Sequence, residues 1–136
     1  MDHPLLTGRP LHHIGIAVVS IADAAPVYEL VAGKPCSSVE VLPEHGVRVA
    51  FCGALELLEP LGPDTGVGRF LEKRGPGLHH VALATPDIGS DLATLEAEGF
   101  RLIDREARAG AHGHRVAFLH PSSTQGTLIE LVESTS

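Results

Sequence analysis

Imidazole and carboxylate side chains recur in this chain at matched positions. Leu11-His12-His13-Ile14-Gly15-Ile16-Ala17 is answered 67 residues later by Leu78-His79-His80-Val81-Ala82-Leu83-Ala84. Leu55-Glu56-Leu57-Leu58-Glu59 is answered 74 residues later by Ile129-Glu130-Leu131-Val132-Glu133. If these are strands, side chains alternate faces along them. His12, Ile14, Ile16 and Val18 then share one face, and His13, Gly15 and Ala17 share the other. In the second copy His80 falls with Ala82 and Ala84. The second His of each pair thus stands among small residues, which leave the space a ligand needs. A carboxylate within a half-buried aliphatic strand, as at Glu56 and Glu130, is costly unless it is paired or holds a cation. His13, Glu56, His80 and Glu130 together offer two imidazoles and two carboxylates. That set suits a divalent transition metal (Co2+, Mn2+, Fe2+, Ni2+ or Zn2+), with positions left for water or substrate. A lone histidine would more simply be a satisfied polar residue in a sheet; four residues of matching parity on repeated strands favour the metal. His12 and His79 face the other way and read as structural. His3, His45, His112 and His114 fall in predicted loops or the tail, and His120, before Pro121, borders the site.

The repeats imply two modules, about 9–62 and 76–134, joined by Gly62 to Gly75 within one domain spanning 1–136. Each reads as β-α-β-β-β. The opening strands are Leu11–Val18 and His79–Thr85. In the first helix Asp23 is the expected N-cap, with Pro26 in the first turn and Gly33 as the stop; in the second, Ser90 is the expected N-cap and Gly99 the stop. Strands at Val39–Leu42 and Phe100–Asp104 follow, then glycine turns at His45-Gly46 and Gly110–Gly113. Val47–Cys52 with Leu55–Glu59, and Arg115–His120 with Thr127–Val132, complete the modules. Gly66–Arg74 reads as a short connecting helix. One helix covers only one face of a four-stranded sheet. Two modules side by side therefore form an α+β half-open barrel whose uncovered faces line a shared metal cleft.

Composition narrows the function. The chain has 136 residues, a net charge of −7, 43% hydrophobic residues and 4% aromatics, with no Trp. The aliphatic content allows one core and excludes wholesale disorder. The acidic balance disfavours a duplex-binding protein, and the scarcity of aromatics disfavours stacking on single-stranded nucleic acid. Residues 1–68 carry −5 and residues 69–136 carry −2, so the local groups Lys73/Arg74 and Arg101/Arg105/Arg108 could still hold an anion. No apolar run reaches the roughly 18 residues of a membrane span, and residues 1–10 lack a signal core. Cys36 and Cys52, without CxxC spacing, are expected as reduced buried thiols in a cytoplasmic protein.

The repeated grammar with one His–Glu pair per module resembles the vicinal oxygen chelate superfamily, which includes glyoxalase I. Within it the chain is most similar to the methylmalonyl-CoA epimerases. The resemblance rests on His12–Val18, Pro43-Glu44-His45-Gly46-Val47, Leu57–Gly62, Phe70-Leu71-Glu72-Lys73, Gly77-Leu78-His79-His80, Gly110-Ala111-His112-Gly113, Phe118-Leu119-His120-Pro121 and Leu128-Ile129-Glu130-Leu131. It implies metal ligation by His13, His80 and Glu130, with Glu56 at the fourth position. It further implies Co2+ as a supporting metal, an acyl-CoA substrate epimerised at C2, Glu130 as a proton carrier, and a homodimer. The chain departs from part of the family at Val49, where some members carry a Glu proposed as an acid/base, because a valine cannot move a proton. The turn at Cys52–Ala54 is short, and Ser122 and Gln125 stand where Lys and Gly are common. Competing readings are a glyoxalase-type isomerase acting on a hemithioacetal, a ring-cleaving dioxygenase, and a metal-free binding module of the same fold. Retention of both His and both Glu argues against the last.

Overall fold

The structure, a computed structural model, describes residues 8–134. It comprises two compact units, one spanning His13–His79 and the other residues 8–12 with 80–134. No helix among the described residues is long and apolar enough to cross a membrane.

The first module runs β1 (Leu11–Ala17), α1 (Ile21–Ala32), β2 (Glu40–Leu42), β3 (Val47–Cys52) and β4 (Leu55–Pro60), with α2 (Gly66–Arg74) after it. The second runs β5 (Gly77–Ala84), α3 (Ile88–Ala97), β6 (Arg108–Ala109), β7 (Arg115–Leu119) and β8 (Ile129–Glu133). Strand order is β2-β3-β4-β1 in the first and β5-β8-β7-β6 in the second. In each, the opening strand pairs parallel with the last and the other pairs are antiparallel. The α+β grammar read from the repeats is therefore present twice.

Parity decides where each core lies. Ile16, Val18, Ile21, Ala50, Cys52 and Leu57 are buried together, with Ala24, Ala25 and Tyr28 of α1 packed on them. Ile88, Leu92, Ala117, Leu119 and Leu131 do the same under α3. These are the helix-facing positions of the strands, one residue out of phase with His13, Glu56, His80 and Glu130.

Both helices start earlier than the sequence suggests. Ser20, not Asp23, caps α1, its hydroxyl accepting from the Asp23 N–H at 3.2 Å. Asp87, not Ser90, caps α3, its carboxylate accepting from the Ser90 N–H at 3.1 Å. The expected caps occupy the first turn, where their N–H groups are the ones that need an acceptor. Pro26 consequently lies inside α1 rather than in its first turn. A second acceptor reaches each helix from the last strand: the Ile21 N–H donates to Glu59 and the Ile88 N–H donates to Glu133, both at 2.8 Å. The trailing Glu of each repeated pentapeptide is thus a remote cap.

Two further expectations are corrected. Phe100–Asp104 is not a strand; the outer strand is Arg108–Ala109, and Leu102 makes only an isolated bridge to Leu119. The Asp104 carboxylate takes the Phe118 N–H at 2.9 Å, occupying a donor that a regular ladder would have used. Cys36 and Cys52 are not free thiols but a disulfide, their Cα atoms 4.1 Å apart across an isolated antiparallel bridge. The missing CxxC spacing carried no information here. Between the two residues the chain runs out along β2, turns at Pro43–His45 and returns along β3, and opposed residues in an antiparallel pair approach this closely without any sequence motif.

Candidate functional site

In the first module, β1 pairs with β4 so that Gly15 lies opposite Glu56. Opposed residues share a face, and His13 shares that of Gly15. His13 Nε2 and Glu56 Oε1 lie 3.2 Å apart, and both residues are buried. On β3, Phe51 lies opposite Glu56, and its ring meets the His13 imidazole edge-on at 5.4 Å between centroids. The second module repeats this arrangement. Ala82 lies opposite Glu130, His80 Nε2 is 3.1 Å from Glu130 Oε1, and Phe118 meets His80 edge-on at 5.3 Å. His80 and Glu130 are also buried.

Each pair presents two Lewis-basic atoms to one another with little water nearby. A proton or a cation must lie between such atoms, so each pair is either an imidazole–carboxylate hydrogen bond or half of a metal-ligand set. Imidazole nitrogen with carboxylate oxygen is a donor set that first-row divalent metals accept. Phe51 and Phe118 restrict the rotation of the imidazoles. Gly15, Ala17, Ala82 and Ala84 keep the neighbouring positions small.

The phenylalanines were not singled out from the sequence, yet a signal for them exists. Arg48-Val49-Ala50-Phe51 recurs as Arg115-Val116-Ala117-Phe118, 67 residues on, the same offset as the Leu-His-His motif. The other histidines have different surroundings. His12 meets His114 edge-on at 5.6 Å, and His114 meets His112 at 5.9 Å. His79 packs on Phe70 at 5.0 Å. His45 ends the short turn Pro43–His45, and His120 Nδ1 accepts from the Ser122 N–H at 3.0 Å. His3 lies outside the described residues. Of the basic groups, Arg108 contacts Asp104 at 3.0 Å and the exposed Arg105 contacts Glu96 at 3.2 Å.

Residues 12–118 match the Glyoxalase/Bleomycin resistance protein/Dioxygenase superfamily. The chain belongs to this superfamily. Within it, the chain is 39% identical to the mitochondrial methylmalonyl-CoA epimerase of Mus musculus over 129 residues, covering 91% of this chain and 72% of that protein. It is 37% identical to an ethylmalonyl-CoA/methylmalonyl-CoA epimerase of Cereibacter sphaeroides over 132 residues, covering 93% of this chain and 98% of that one. A solved methylmalonyl-CoA epimerase in complex with methylmalonyl-CoA and NH4+ superposes with a TM-score of 0.89 at 36% identity, covering 94% of this chain and 96% of the other. At these identities and lengths the chain is a member of the methylmalonyl-CoA epimerase family and has its fold, as the motif resemblance implies.

Proposed function

We propose that this protein interconverts the two C2 epimers of methylmalonyl-CoA and that His13, Glu56, His80 and Glu130 hold one divalent metal for the purpose. The observation that carries the reading is the buried His–Glu pair built at equivalent strand positions in both modules. The four residues are a group of buried His and Glu side chains able to hold a metal ion. Family membership supports the substrate, and the family resemblance favours Co2+.

C2 of the substrate lies between a thioester and a carboxylate, so loss of its proton gives a stabilised enolate. When bound, the metal supplies a Lewis acid for the charge developing on the enolate oxygen. The protein's own part is to orient and to move the proton. His13 and His80 offer Nε2, their ring planes held by Phe51 and Phe118. All four side chains are buried. Glu130 takes the C2 proton on a carboxylate oxygen. Glu56 contributes charge and position. The functional assembly in this reading is a homodimer.

The test is an NMR assay of methylmalonyl-CoA in D2O, with and without Co2+. Metal-dependent loss of the C2 proton signal together with epimerisation is the expected result. No exchange at any metal loading would contradict the proposal. Ethylmalonyl-CoA belongs in the same assay, because the Cereibacter sphaeroides relative is named for both substrates.

A further inference from the structure

Inverting a carbon by proton transfer requires a carrier on each face of it. Glu130 is one. The first module offers another through its strand register. Glu40 of β2 lies opposite Val49 of β3, Val49 lies opposite Leu58 of β4, and Leu58 lies opposite Ala17 of β1. All four therefore share one face. Ala17 and Gly15 are on the face of His13, and Glu56 joins that face opposite Gly15. Glu40 thus stands on the same face as His13 and Glu56.

Its burial agrees. Glu40 and Leu42 are half-buried, whereas Val41 between them is 51% exposed. The rest of that face on β2, β3 and β4 is apolar, namely Leu42, Val47, Val49, Phe51, Leu58 and Pro60. Among the described residues of β1 to β4, Glu40 is the one ionisable side chain on this face besides His13 and Glu56. Strands about 4.8 Å apart and a rise of about 3.4 Å per residue place the Glu40 and Glu56 Cα atoms about 12 Å apart. Val49 and Leu58, which lie between them on this face, are buried.

We infer that Glu40 is the second proton carrier of the epimerisation, a catalytic residue acting on the face of C2 opposite to Glu130. The inference deepens the proposed function and rests on it. In one direction the Glu130 carboxylate takes the C2 proton and the C–H electron pair passes into the enolate. The neutral carboxyl group of Glu40 then gives its proton to C2 from the other side, and the enolate pair forms the new C–H bond. The reverse direction exchanges the two roles. Partial exposure lets Glu40 trade protons with water between turnovers, while Val49 and Leu58 keep its inner side dry. The acid/base duty absent from Val49 is thereby met one strand further out, in the same row.

The experiment uses Glu40→Gln, which keeps shape and removes the titrating oxygen, with each pure epimer in D2O and Co2+ present. Epimerisation is expected to fall at least about a hundredfold, while deuterium still enters C2 of one epimer within about threefold of the wild-type rate. Bound metal and melting temperature stay at wild-type values. Glu40→Asp, with its shorter reach, retains part of the activity. Epimerisation within about threefold of wild type in Glu40→Gln, or equal loss of exchange from both epimers, would overturn the inference. An inactive wild type would instead bring down the proposed function itself, so the two failures are distinguishable.

Discussion

The two modules build the same His–Glu–Phe cluster, and they differ in the rows around it. Where the first module sets Glu40 opposite Val49, the second sets Arg108 opposite Val116. Where the first joins β3 to the preceding chain by the Cys36–Cys52 disulfide, the second uses a Leu102–Leu119 bridge. In the proposed function the shared part is what a metal requires of each half. The divergent part is what an asymmetric substrate and separate stability demands require. A carboxylate on one outer strand and a guanidinium on the other break the equivalence of two otherwise matched sheets, as does the contact that holds Arg108 to Asp104.

The largest expected effect tests the shared part. His13→Ala and His80→Ala should each lower epimerisation by about a thousandfold or more and remove the metal, since in the proposed site each deletes one ligand of a common ion. Assay and metal analysis on the same preparations check this. If one variant keeps metal and activity, the modules are not equivalent contributors.

Next is the disulfide. Closing a loop over a sequence separation of 16 constrains the unfolded chain by about 3 kcal/mol. Reductant should lower the denaturation midpoint accordingly, and Cys36→Ala should abolish that sensitivity. Unchanged stability on reduction would show that packing alone holds this corner, as it does at Leu102 and Leu119.

Smaller still are the remote helix caps. Glu59→Gln and Glu133→Gln each weaken a charged acceptor at a helix start and should cost about 1 kcal/mol apiece. Glu59→Gln should cost slightly more, because Glu59 also holds Arg48 at 3.0 Å. Chemical denaturation of the two variants makes the comparison, and a neutral Glu133→Gln would mean the second cap is redundant with Asp87.

The smallest effect is expected at Val49. If Glu40 is the carrier in its row, Val49→Glu should change epimerisation by less than about tenfold. A gain of a hundredfold or more would show that the native site lacks a second carrier.

Much of this is legible in the amino-acid sequence. The parity of Leu-His-His and of the two Glu pentapeptides is a local property, set by alternation along a strand, and each pair meets at the register that alternation allows. Element order was legible for the same reason. The cap positions differ from the sequence expectation because Asp23 and Ser90 are good cap types lying one turn downstream of Ser20 and Asp87, and composition does not distinguish N-cap from first turn. The strand expected at Phe100–Asp104 failed on a tertiary event, the Asp104 carboxylate taking a ladder donor. The disulfide and the place of Glu40 depend on which residue faces which across strands, and register is a pairing property that no single segment encodes.

The central claim is that two half-sites serve one ion. The most direct measurement is the metal content of the purified protein after saturation with Co2+ and removal of loosely bound metal, followed by titration of activity against metal bound. The account predicts one ion per chain, with epimerisation rising linearly to that point and no metal retained in either single-histidine variant. Two ions per chain, or full activity in metal-free protein, would contradict it.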